Sequence, residues 1–113
     1  MISWNKITDI AQLDVLAERS NTVSCLIFKH STTCSISAMA KARLDRHWDF
    51  DAADIEPYYL DLLSFRPISA AIATRFDVHH ESPQVLLIRN GECVYDASHL
   101  DISMDELHSI YAE

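Results

Sequence analysis

The chain has 113 residues, 49% of them hydrophobic and 23% charged, with a formal net charge of −8 at pH 7. That length suits a single domain, residues 1–113, built around one core. The negative charge and the scatter of nine Lys and Arg argue against nucleic acid, and no apolar run approaches the roughly 20 residues of a membrane span. The opening run Met1-Ile2-Ser3-Trp4-Asn5 has neither the charged region nor the apolar stretch of a secretory signal, so cytoplasm is the expected compartment. Three cysteines without a C-x-x-C pair do not make a disulfide framework or a zinc site. In a reducing compartment they are expected as free thiols. His79 and His80 are adjacent, so their rings diverge in any regular element, and no metal site is expected.

In chain order, Thr8-Asp9 opens a predicted helix whose apolar face is Ile7, Ile10, Ala11, Leu13, Val15, Leu16 and Ala17, closed by Ser20-Asn21. Val23 to Lys29 reads as a strand apolar on both faces, Val23, Cys25 and Ile27 against Leu26 and Phe28, which is the pattern of a central strand covered on both sides. A helix from Cys34 to about Trp48 follows, with Ile36, Met39, Ala40, Leu44 and Trp48 toward the core. After the acidic connector Asp49 to Asp54, a second strand is expected over Ile55–Leu63, with Pro57 near its start or on an unpaired edge. Pro67 opens a third helix, Ile68 to Phe76, with Ile68, Ala71, Ile72 and Phe76 as its stripe. Val78 to Pro83 is a loop. Gln84–Arg89, Asn90-Gly91 and Glu92–Asp96 spell a β-hairpin, and Ser103 to Glu106 carries the capping-box pattern of a last helix.

The chemistry centres on Lys29-His30-Ser31-Thr32-Thr33-Cys34-Ser35-Ile36-Ser37. Cys34 falls where a strand ends and a helix begins, the place where unpaired backbone N–H groups and the helix dipole favour a thiolate nucleophile. A buried, inert thiol is the alternative, but Thr33 and Ser35 are poor core neighbours. Lys29 and His30 are candidates for electrostatic tuning, or else a solvated strand end. Cys25 lies nine residues before Cys34, well over 10 Å away at about 3.3 Å per strand residue, and Cys93 follows the far hairpin turn, so both read as structural.

The run His30-Ser31-Thr32-Thr33-Cys34-Ser35-Ile36-Ser37 resembles the Thr-Cys-Pro-Ile-Ser signature of monothiol bacilliredoxins, the YtxJ-type group of the thioredoxin-like superfamily, with Ser35 in place of the usual proline. Ser82-Pro83 and the following hairpin extend the likeness. The resemblance implies an α/β thioredoxin-like fold, a mixed four-stranded sheet flanked by helices on both faces. It implies Cys34 as the catalytic nucleophile, with Thr33, Ser35, Ile36, Ser37, Ser82 and Pro83 lining the substrate groove. Pro83 would be cis, and Ser37 would stand where dithiol relatives carry a resolving cysteine. The activity implied is thiol–disulfide oxidoreduction: an enzyme that removes a low-molecular-weight thiol, bacillithiol by resemblance, from protein mixed disulfides as part of a stress response. Glutathione is the alternative thiol. Expected partners are S-thiolated client proteins and the small thiol as co-substrate, with no bound cofactor and a monomeric state. A non-catalytic thioredoxin-like redox-sensing or binding module is the competing reading. A peroxidase fits less well, since Pro-x-x-x-Thr-x-x-Cys is absent.

Overall fold

The computed structural model describes residues 2–51 and 53–113; Met1 at the chain start and Ala52 in the acidic connector lie outside the described residues. The elements are β1 (Asn5–Lys6), α1 (Gln12–Arg19), β2 (Ser24–His30), α2 (Ser35–His47), β3 (Ile55–Asp61), α3 (Arg66–Phe76), β4 (Gln84–Arg89), β5 (Glu92–Ser98), a short 3-10 turn (His99–Asp101) and α4 (Met104–Tyr111). One sheet in the order β1-β3-β2-β4-β5 organises them, parallel from β1 through β3 to β2 and antiparallel from β2 through β4 to β5. This is the thioredoxin arrangement expected, with five strands instead of four. The added strand, β1, has only two residues, both exposed, so no hydrophobic alternation announces it. Among the described residues no helix is long and apolar enough to cross a membrane.

Central β2 is buried along its whole length, as its two-faced apolar pattern requires. Its alternation sends Cys25 and Ile27 to a core shared with Leu13 and Leu16 of α1 and Ile68, Ile72 and Phe76 of α3. Leu26 and Phe28 go to a second core with Ala40 and Leu44 of α2 and Leu107 of α4. Pro57, third in β3, precedes the first residue that pairs with β1, and its carbonyl accepts from the Asn5 side-chain amide at 3.1 Å. The hairpin turn Asn90-Gly91 has φ of 54° and 77°, the left-handed pair that this two-residue turn needs. It docks on the end of α1: Asn90 N–H donates to Ser20 O at 2.9 Å and Gly91 N–H to Ser20 Oγ at 2.7 Å.

Several expectations shift. α1 begins at Gln12 because Thr8 to Ala11 form a turn in which Gln12 Oε1 accepts from the N–H groups of Thr8 (2.7 Å) and Asp9 (2.8 Å). Ile10, in that turn, and Val15, on the outer face of α1 away from Leu13 and Leu16, are exposed, not packed. In α2 the inward face is Ser37, Ala40 and Leu44, spaced three and four apart, and Ile36 and Met39 sit one position out of phase at 41% and 55% exposure. Trp48 is half-buried beside Trp4 and Phe50. β3 ends at Asp61, and β5 continues to Ser98 with a bulge, since Leu87 faces Tyr95 whereas Ile88 faces Cys93, leaving Val94 over.

Candidate active site

β2 carries its last residue, His30, to the rim of the sheet, and a four-residue turn leads into α2. Cys34 is the N-cap of that helix, in extended backbone at φ −102° and ψ 123°. Its N–H donates to Ser31 O at 3.2 Å and its carbonyl accepts from Ala38 N–H at 3.0 Å. The thiol is half-buried and free. The N-cap position puts Cys34 at the end of α2 where the first-turn N–H groups lack partners within the helix. Thr33, Ser35 and Ile36 are exposed around it.

Ser37 departs from the groove-lining role expected of it. It is 0% exposed, one turn into α2, with its hydroxyl turned inward. Ser37 Oγ accepts from Ser31 N–H at 3.0 Å and lies 2.6 Å from His30 Nδ1. The same atom therefore ties the turn to the helix and to the strand. His30 is buried, stacked on Phe28 and tilted against Tyr59, each at 5.6 Å between ring centroids. Burial, then the charge of Lys41, pulls its pKa below the ordinary histidine value, while Asp61 and the Ser37 contact oppose. Its imidazole is neutral near pH 7.

Lys29, the preceding residue, faces the other side of the sheet and is also wholly buried. Neither residue is a solvated strand end. Lys29 Nζ donates to Ser69 O and to His80 Nδ1, both at 3.2 Å, and burial pushes its pKa down to about 8. Accepting from an ammonium leaves His80 Nδ1 without a proton, and burial together with the Lys29 charge holds the His80 pKa down. Gln84, the register partner of Lys29, is buried as well. Its Nε2 donates to His79 O at 2.9 Å and its Oε1 accepts from Glu81 N–H at 3.4 Å. Two facing polar side chains thus hold the loop that delivers Ser82-Pro83.

The Ser82-Pro83 peptide is cis, and Pro83 O accepts from His99 N–H at 2.9 Å. Because Gln84 pairs with Lys29, this dipeptide lies at the same end of the sheet as the turn before Cys34. Two buried side-chain oxygens there, Ser82 Oγ and Asp61 Oδ1, have no hydrogen-bond partner among the described residues. The remaining thiols are elsewhere. Cys25 and Cys93 both flank Ile88 in the sheet register, toward the hairpin turn. Burial raises their pKa values to about 12 and about 11, so both stay protonated near neutrality.

Sequence reasoning singled out Lys29 and His30 for charge and missed Ser69 and His80, which bind the Lys29 ammonium, its register partner Gln84, and Asp61 beside His30. The available signal was alternation: consecutive polar residues at the end of a strand apolar on both faces must enter opposite cores.

The comparisons agree with this geometry. A solved structure described as a candidate oxidoreductase with a thioredoxin fold is 33% identical, superposes with a TM-score of 0.79, and is matched over 93% of this chain and 90% of its own. The thioredoxin of Malassezia sympodialis is 15% identical with a TM-score of 0.72, over 99% of this chain and 90% of its own. That of Plasmodium falciparum is 12% identical at 0.73, over 98% and 100%. The last two support the fold alone. The sequence profile of the monothiol bacilliredoxin BrxC family matches residues 5–107. With the fold, that match supports a thiol redox function. This chain belongs to the monothiol bacilliredoxin family.

Proposed function

We propose that the protein is a monothiol thiol–disulfide oxidoreductase that takes low-molecular-weight thiols off S-thiolated proteins, with Cys34 as its nucleophile. The observation that carries this reading is the contrast among three free thiols. Cys34 is half-buried at a helix N-cap, Cys25 is buried, and Cys93 is half-buried with its thiol donating to Tyr95 O at 3.2 Å; the last two are held protonated. The Cys34 thiolate attacks the small thiol's sulfur in the mixed disulfide. That S–S bond breaks, the electron pair leaves on the client sulfur, and the small thiol remains as a Cys34 mixed disulfide. An external thiol then attacks this adduct and regenerates Cys34. Ser37 supplies no second thiol, so regeneration within the molecule has no local route. The family points to bacillithiol as the small thiol, and Ser82 with Pro83 would face the client's extended backbone.

The test is intact-mass analysis after exposure to protein mixed disulfides of bacillithiol and, separately, of glutathione. One adduct, located on Cys34 and absent from Cys34→Ser, is expected, with faster transfer from the bacillithiol form. Transfer that survives Cys34→Ser would overturn the assignment, and equal rates would remove the bacillithiol preference.

A further inference from the structure

We propose that the outer stripe of α2 is a docking face for an acidic segment of the client protein, and that it selects clients with carboxylates near the modified cysteine. The proposal rests on Cys34 being the nucleophile and adds which proteins reach it. Cys34 caps α2, and the helix then presents Ile36, Met39, Arg43 and Arg46 at steps of three, four and three residues, all exposed. A hollow of about 240 Å³ is lined by Met39, Ala42, Arg43 and Arg46. From the 3-10 turn, Leu100 adds a third apolar side chain at 63% exposure and borders a second hollow together with Arg43. That turn is anchored on two sides. Arg43 Nη1 donates to Ile102 O at 3.4 Å, and His99 N–H holds Pro83 O. The face therefore runs from Cys34 along α2 and is joined through the turn to the cis-proline.

Charge decides the occupant. In a chain of net charge −8, Arg19, Lys41 and Arg75 pair with Glu56, Asp45 and Asp14, and Lys29 is buried. Arg43 and Arg46 have no carboxylate partner among the described residues. Two free guanidiniums on one stripe, beside exposed apolar side chains, suit a segment that carries both carboxylates and an apolar anchor. Asp101 and Asp105, exposed on the turn and on α4, close the border beyond Leu100 to carboxylates. A lipid surface fits less well, because anionic headgroups meet the remaining negative charge. Position fixes the spacing. At about 1.5 Å per helical residue, Met39 lies about 8 Å along α2 from Cys34, and Arg43 and Arg46 about 14 and 18 Å. An extended client covers those distances in roughly two, four and six residues.

The test uses short peptides whose single cysteine is a thiopyridyl mixed disulfide. Each has leucines about two positions away on both sides, and either glutamates or lysines roughly four to six positions away. Attack by Cys34 releases thiopyridone, which is followed by absorbance. The glutamate peptide should react about tenfold faster than the lysine peptide at low salt, with the gap narrowing toward about 0.5 M salt. Joint Arg43→Glu and Arg46→Glu should reverse the preference. Arg46→Glu alone should cut it to about threefold; Arg46 makes no side-chain hydrogen bond among the described residues, so this variant serves should the pair fail to fold. Dithiodipyridine, small and uncharged, reads Cys34 apart from the face. A charge reversal that slows dithiodipyridine as much as the glutamate peptide would place the effect on the thiol and overturn the docking face. Equal rates for the two peptides at low salt would overturn it as well. So would a wild type that dimerises, or sediments with phosphatidylglycerol vesicles, through these arginines, since the occupant would then be a second copy or a lipid surface. A wild type no faster with dithiodipyridine than Cys34→Ser would instead bring down the functional reading itself.

Discussion

Lys29 and His30 are neighbours in one strand, both buried, and each secures one lip of the sheet end near which Cys34 stands. They do so by unlike means. His30 holds the α2 lip through Ser37 with neutral groups, and every donor or acceptor in that contact is matched. Lys29 holds the opposite lip, the loop before Pro83, with an ammonium that meets a carbonyl and an imidazole but, among the described residues, no carboxylate. A charge kept in an apolar core without a counter-ion opposes folding. One lip is tied by contacts that favour the folded state, and the other by a contact the fold bears at a cost.

Removing the buried charge of Lys29 should have the greatest effect. The drop in its pKa from 10.5 to about 8 corresponds to about 3 kcal/mol of charge-burial cost. Lys29→Met, which fills the same space without charge, should therefore raise stability near pH 7 by about 1–3 kcal/mol. It should also speed amide exchange over residues 79–82 and lower turnover. The sign in pH follows from linkage. Between about 8 and 10.5 the unfolded chain binds more protons than the folded one, so wild-type stability from this group rises with pH across that window. The advantage of Lys29→Met should shrink over the same window, as urea titrations at several pH values would show. A variant that loses stability at pH 7 would contradict the cost assigned to Lys29.

Ser37→Ala should act oppositely. It strands Ser31 N–H and His30 Nδ1 in buried surroundings and should cost about 2 kcal/mol by chemical denaturation. The loosening should register at the Ser31 amide and leave residues 79–82 as they were. If exchange quickens equally on both lips, they are one unit and the contrast fails. Far from either lip, Gly91→Ala sharpens the picture as a control. An added Cβ meets nothing within 4 Å, but φ of +77° is strained for alanine, so the cost should be about 1 kcal/mol. Cys34 reactivity should not change. The smallest effect concerns acid. Because the folded pKa of His30 is depressed, its contribution is present above the ordinary value of 6.5 and lost as pH falls through the folded value. His30→Asn should flatten that part of the acid limb in thermal melts followed by circular dichroism.

Much of the fold was legible because its signals are local. The two-faced run of β2, the Asn90-Gly91 turn, the proline opening α3 and the Ser103 cap, whose Oγ accepts from Glu106 N–H at 3.4 Å, each lie within a few residues. The position of Cys34 at the junction of strand and helix was readable for the same reason. What escaped depends on partners distant in sequence. The groups that bind Lys29 Nζ lie 40 and 51 residues away, so alternation turns its side chain inward but nothing beside it names what receives the charge. The phase of α2 was misread because Ile36 and Met39 are more hydrophobic than Ser37, yet His30 and Ser31 supply the polar partners that draw Ser37 inward. Hydrophobicity ranks residues one at a time and cannot register a hydroxyl whose acceptors and donors lie behind it.

The bulge at Val94 has a bearing on association between molecules. β5 borders the sheet beyond β4, and a straight strand there would offer a ladder of free N–H and C=O groups to any passing extended chain. The extra residue breaks the even spacing of that ladder and coils the border, while exposed Glu92 and Asp96 place negative charge along it. In a chain of net charge −8, a second copy approaching this border meets both a mismatched ladder and like charge. Straightening β5 by deleting Val94 should convert a self-avoiding rim into a template for sheet extension, visible as concentration-dependent light scattering.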